Sequence, residues 1–201
     1  MQCYEPEVRE LERSVRGRSD GNRPPVFYGS STIRLWDTIG EDFDPRVLRL
    51  GFGGSTLEAC DYFFDRLVPP VHPRSLLLYA GDNDLGDGRS VEQVLGSFQS
   101  LASKVKSQLG ILPFGFVSVK PSPARYSIMD RIRGVNEKVR REVESITAGY
   151  YVDVYSPMLD ARDRPRGELF QEDGLHLNHD GYLLWSRVFA GYRNQIFIDS
   201  K

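Results

Sequence analysis

The sequence predicts an α/β domain, a parallel sheet of five strands with helices on both faces, and three observations lead there. Short apolar or β-branched runs alternate along the chain with amphipathic segments of helical period. The runs are apolar throughout rather than at every second residue, the pattern of strands buried on both faces. No internal repeat, low-complexity tract or single-sign charge run interrupts the alternation over 201 residues, a length suited to one sizeable core. We therefore read one domain over residues 1–201.

The elements follow in order. Val8, Leu11 and Val15 stand at helical spacing and predict a first helix. The strands are "VFYG" at 26–29, "RVLRLG" at 46–51, "SLLLYAG" at 75–81, "FGFVSVK" at 114–120 and "YYVDVYS" at 150–156, each bounded by Gly or Pro or closed by a polar turn. Between them lie three apolar stripes: Leu57, Cys60, Phe64 and Leu67; then Val91, Val94, Leu95, Phe98, Leu101 and Val105; then Ile132, Val135, Val139 and Val143. Each stripe repeats every three or four residues and predicts a helix. "GYLLWSRVFAGYRNQIF", 181–197, supplies a last one.

Composition excludes several roles. A net charge of -2 and a pI near 6.0 leave no basic excess for a phosphate backbone. The first twenty residues hold no apolar run of the signal-peptide kind, and no stretch approaches the ~20 apolar residues of a membrane span, so a cytoplasmic protein is expected. Cys3 and Cys60 are the only cysteines, too few for a disulfide framework or a zinc cluster, and are read as plain thiols.

Parallel sheets carry their sites beyond the carboxyl ends of the strands, where strand order reverses. "GSST", "GFGGST", "GDNDLGDG" and "QEDGLHLNHDGY" all follow strands on that edge, and "KPSPARY" borders them. In "DGLH", Asp173 precedes His176 by three residues, close enough for the carboxylate to hold one ring nitrogen and leave the other as a base. A serine hydroxyl needs such a base. A satisfied loop histidine is the alternative reading of His176. His179, in "NHDG", reads as cap and turn chemistry opening the last helix, and His72, before strand three, belongs to the opposite end of the sheet. Gly53 and Gly54 offer unobstructed N–H donors for an oxyanion, or form a tight turn. Asn83 offers its side-chain amide, or an Asx-type turn. Arg34, Trp36, Lys120 and Arg125 read as solvated or packing residues, with a pocket for an anionic or sugar-bearing leaving group as the alternative.

From Pro25 to the last helix these blocks, in this order, resemble the SGNH or GDSL hydrolases, serine esterases and lipases. The resemblance implies a three-layer α/β/α flavodoxin-like fold, Ser31 as nucleophile, and Asp173 and His176 completing a triad. It places Gly54, Asn83 and the Ser31 backbone N–H in the oxyanion hole. One departure stands out: the family's first block usually reads Gly-Asp-Ser, whereas this chain has Gly29-Ser30-Ser31. The missing aspartate is no triad member, so local hydrogen bonding is expected to change while the chemistry survives. A small-molecule ester substrate is implied, and no metal or organic cofactor.

Two rival readings use the same residues. "GFGGST" partly matches a dinucleotide-binding turn for NAD or NADP, with Gly51 and Gly53 in place but Thr56 where a third small residue belongs. A metallohydrolase would draw on Asp82, Asp84, Asp173, His176 and His179.

Overall fold

The apolar runs become strands in the computed structural model, which describes residues 1–16 and 23–198. In chain order the elements are α1 (Glu5–Val15), β1 (Pro25–Gly29), α2 (Ser31–Arg34), α3 (Ile39–Asp42), β2 (Leu48–Gly51), α4 (Leu57–Leu67), β3 (Ser75–Tyr79), α5 (Asp82–Gly86), α6 (Val91–Leu109), β4 (Phe114–Val117), α7 (Met129–Ser145), β5 (Gly149–Val152), α8 (His179–Ala190) and α9 (Arg193–Ile196). The sheet runs β2-β1-β3-β4-β5, every neighbour parallel, as expected from strands without polar alternation.

Side chains of successive strand residues point to opposite faces, which divides the core in two. Val26, Tyr28, Leu76 and Leu78 pack with Val8 of α1, Phe63 and Phe64 of α4, Phe98 of α6 and Val139 of α7. Phe27, Leu77 and Tyr79 pack with Trp36, with Trp185 and Phe189 of α8 and with Ile196 of α9. Each such buried side chain contributes about 1.5–3 kcal/mol. The result is a three-layer α/β/α fold.

Caps set where the helices begin. Thr56 Oγ1 accepts the Ala59 N–H at 3.1 Å before α4, and Asn178 Oδ1 accepts the Gly181 N–H at 3.1 Å before α8. Ser90 and Gln93 exchange hydrogen bonds in a capping box before α6.

Three differences from the sequence expectation have physical causes. The helix expected over 181–197 is two helices, because short i to i+3 bonds from Gly191 and Tyr192 end α8. The turn lets Ile196 and Phe197 fold back onto the core that holds Phe189. Helices α2, α3 and α5 have only four or five residues each, too few for a periodic signal. The strand runs that continue to residues 81, 120 and 156 leave the sheet earlier, and their last residues become loops at the carboxyl edge. There side chains take over the pairing: Asn136 bonds both backbone groups of Val119, at 2.7 and 2.9 Å, and Ser118 Oγ accepts from the N–H of Val154 and of Tyr155.

Candidate active site

The end of β1 is shaped by its neighbour β3. Gly29 has φ +145°, and a Cβ there would stand 1.8 Å from the Tyr79 carbonyl oxygen, so only glycine lets the two strands approach. Ser30 then donates its N–H to that same oxygen at 2.9 Å, and its carbonyl accepts from Ile33 and Arg34, which starts α2. This turn sorts the three hydroxyls. Ser30 is wholly buried with no partner for its Oγ, and Thr32 is 1% exposed, while Ser31, the first residue of α2, reaches the surface at 9%. Ser31 is thus the hydroxyl open to a ligand.

The Asp173 and His176 side chains meet as their spacing predicts. Asp173 Oδ2 lies 2.6 Å from His176 Nδ1, and Oδ1 accepts from the N–H of Leu175 and of His176, each at 2.9 Å. Burial pushes the Asp173 carboxyl up, but the Leu175 N–H and the His176 ring and N–H outweigh it and hold the group down at about 2. A carboxylate at Nδ1 keeps the proton on that nitrogen and leaves Nε2 as the basic one. The loop is pinned at both ends: Gly174 O accepts from Ala124 N–H at 3.1 Å, and Gln171 N–H donates to His176 O at 2.8 Å. Just beyond it, Tyr182 OH donates to Thr32 O at 3.0 Å, which ties α8 to the residue after Ser31. Among the described residues the Ser31 hydroxyl makes no hydrogen bond to the imidazole, a contact that commonly tightens only with substrate bound.

Of the glycine donors, one is already used. Gly53 N–H donates to Glu7 Oε2 at 2.8 Å, and the same carboxylate faces Arg34 Nε at 3.6 Å. Gly54 is exposed, with φ +66°, and nothing stands within 4 Å of where its Cβ would be. Its carbonyl accepts from Tyr4 OH at 3.2 Å, so α1 and the turn before it brace the whole loop. Asn83 Nδ2 donates to Ser55 O at 3.1 Å. An amide has two such hydrogens, so one orients the side chain on the Gly54 loop and the second stays available.

Beneath Asn83 lies a charge network that sequence reasoning missed. Lys120 Nζ sits 2.9 Å from Asp82 Oδ2 and 3.2 Å from Tyr79 OH, with side chains of Lys120 and Asp82 only 1% and 5% exposed. Asp82 Oδ1 accepts the Asn83 N–H at 3.0 Å. Burial would raise the Asp82 carboxyl, but the Lys120 ammonium overrides it and holds it below the ordinary range; burial would likewise lower Lys120, and Asp82 holds it up. The only hint in the sequence was a lysine directly continuing an apolar run. Trp36 is a core residue, stacked on Tyr182.

The same contacts bear on the rival readings. A pyrophosphate on "GFGGST" would need the N–H groups of Gly53 and of the first turn of α4, but Glu7 takes the former and Asp84 Oδ2 takes the Leu57 N–H at 2.9 Å. Among the described residues no three His, Cys, Asp or Glu side chains converge in a metal-binding group. Asp82 is turned to Lys120, Asp84 to α4, and His179 is the first residue of α8 behind its cap. Cys3 and Cys60 are both free, and among the described residues no helix is long and apolar enough to cross a membrane.

Comparison with known proteins agrees with this architecture. The family model of the GDSL-like lipase/acylhydrolases matches residues 19–184. A search of curated proteins finds no match. Among solved structures, a GDSL-like lipase from Bacteroides thetaiotaomicron superposes with a TM-score of 0.77 at 19% identity, over 94% of this chain and 100% of that one. A lipase/acylhydrolase from Enterococcus faecalis does so at 0.69 and 16%, over 90% and 100%. A Streptococcus pneumonia protein provisionally named a platelet activating factor reaches 0.79 at 17%, over 95% and 94%. At such identities the structural likeness is one of fold.

Proposed function

The chain belongs to the GDSL-like lipase/acylhydrolase family, and from that premise we propose that it is a serine esterase, hydrolysing carboxylic esters through an acyl-enzyme on Ser31. The observation that carries the reading is the 2.6 Å contact of Asp173 with His176 Nδ1, on the loop that leads into α8, the helix whose Tyr182 is bonded to the residue after Ser31. His176 Nε2 takes the Ser31 proton as Oγ attacks the ester carbonyl. The oxyanion is received by the N–H groups of Ser31 and Gly54 and the free amide hydrogen of Asn83. His176 then protonates the leaving alcohol, and a water activated by the same nitrogen releases the acid, while Asp173 holds the ring and stabilises its cationic form.

Glu7 and the Asp82–Lys120 pair act in this scheme as positioning groups. Glu7 holds Gly53 next to Gly54, and Asp82 fixes the backbone of Asn83. A preference for short acyl groups fits a sequence that no long apolar lid insertion interrupts. Turnover of 4-nitrophenyl esters of increasing acyl length tests that preference.

A fluorophosphonate, which reports an activated serine, is expected on Ser31, with the adduct located by peptide mass spectrometry. Ser31→Ala abolishes labelling and lowers turnover on the order of 10⁴-fold or more, whereas Ser30→Ala retains most activity. An adduct on Ser30, or full activity in Ser31→Ala, overturns the assignment.

A further inference from the structure

Most cations around the site have a carboxylate partner. Lys120 pairs with Asp82, Arg34 faces Glu7, and Arg89 pairs with Glu58. Arg125 is different. Among the described residues its guanidinium has neither an ion pair nor a hydrogen bond, and its Nε is buried with no acceptor. Buried N–H groups without an acceptor are rare in folded proteins, and each calls for an explanation.

Its placement supplies one. The guanidinium lies face-on against Gly86, where an added Cβ would stand 2.4 Å from Cζ and Nη2 and 2.6 Å from Nη1. Gly86 ends α5, the short helix that carries Asn83. The residue before Arg125, Ala124, donates to Gly174 O, within the loop of Asp173 and His176. Arg125 is thus held between the two loops that carry the oxyanion donor and the base. Asp82 feels its charge as well as that of Lys120, so one carboxylate answers to two cations. Asp84, the next carboxylate along α5, is turned toward the start of α4. Pro123 and Tyr126, on either side of Arg125 in the sequence, line an open groove of about 840 Å³ together with Leu159 and Pro165. The arginines lining that groove are already paired, Arg164 with Asp160 and Arg166 with Glu168.

We propose that Arg125 forms an anion subsite, so that the preferred substrate is an ester bearing a carboxylate or phosphate group. This rests on the serine-esterase reading above. The planar fork of a guanidinium matches both anions with two parallel charge-assisted bonds, and Nη1 and Nη2, which unlike Nε are not buried, are the donors that would receive the anion.

The test compares matched esters with and without the charge. In one pair the anion is on the alcohol, 4-acetoxybenzoate against its methyl ester; in the other it is on the acyl group, 4-nitrophenyl hydrogen succinate against methyl 4-nitrophenyl succinate. The readout is the ratio of kcat/KM, anionic over neutral, in the wild type, Arg125→Lys and Arg125→Gln, with folding checked by circular dichroism. In at least one pair the ratio is expected to fall on the order of tenfold to a hundredfold in Arg125→Gln, and less in Arg125→Lys. The pair that responds identifies the side of the ester that carries the anion. Benzoate and inorganic phosphate, as inhibitors of the neutral esters, rank the two anions. Ratios equal in wild type and Arg125→Gln for both pairs, with Ser31 still labelled by a fluorophosphonate, overturn the subsite and leave the esterase reading intact. Absence of labelling together with no turnover of any of the four esters overturns both.

Discussion

Asp84→Asn is expected to stabilise the protein above pH 6 relative to its effect near pH 4, because a buried carboxylate is removed. Asp84 is wholly buried; Oδ2 accepts the Leu57 N–H at 2.9 Å, and Oδ1 has no partner. Burial raises its carboxyl to about 6 against the opposing pull of the Leu57 N–H, whereas the unfolded chain titrates near 3.9. Below both values the group is neutral in both states and contributes nothing. As pH rises from about 4 to 6 the unfolded chain releases its proton while the folded protein keeps it, so folding stability declines; above 6 the penalty is complete. A rise of about two pKa units, at 1.36 kcal/mol each, amounts to roughly 2–3 kcal/mol. Asparagine does not titrate and still offers Leu57 an oxygen. Urea unfolding of both proteins at pH 4, 5, 6 and 7 measures the effect, since every other titrating group is shared and cancels in the difference. At about 2–4 °C per kcal/mol for a chain of this size, the Tm gap between the two proteins should widen by roughly 4–12 °C from pH 4 to 7. A gap constant across that range, or one that shrinks as pH rises, refutes the assignment of this cost to Asp84.

Asn83→Ala should lower kcat by ~10²- to 10³-fold with little change in KM, as expected for a donor that acts on the transition state; an unchanged kcat in folded protein would leave the hole to backbone donors. Lys120→Met strands a buried carboxylate and should cost about 3–5 kcal/mol in urea unfolding, much of it recovered when Asp82→Asn is added; additive losses would show that the pair is not coupled. His176→Ala should nearly eliminate ester turnover and His179→Ala should not, since the Asp173 carboxylate is on the His176 ring and His179 is the first residue of α8; the reverse order in steady-state assays reassigns the base.

The candidate site was legible where its geometry is local. Asp173 and His176 are three residues apart, and one turn of chain brings the ring to the carboxylate whatever the rest of the fold does. Asn178 as the cap of α8 was legible for the same reason. The choice between Ser30 and Ser31 came from resemblance alone, because two adjacent serines differ only once Gly29 is seen against Tyr79 and the turn buries the first of them. The choice of Gly54 over Gly53 likewise came from resemblance, because nothing local to "GFGGST" shows that Glu7, 46 residues earlier in the chain, takes the Gly53 N–H.

By itself, then, the sequence determined the five strands, the parallel sheet and the edge on which polar loops gather, since these follow from hydrophobic period and turn chemistry over a few residues. Only the tertiary structure decided the order β2-β1-β3-β4-β5 and the long-range pairs that it creates. Lys120 meets Asp82 across 38 positions because β3 and β4 lie side by side, and Arg125 reaches Gly86 because the loop after β4 folds over α5. A lysine or arginine in a sequence reads as solvated by default. Whether it is buried against a carboxylate, or left open beside a candidate catalytic loop, depends on which strand ends pack together, and that is set by the packing of the whole sheet.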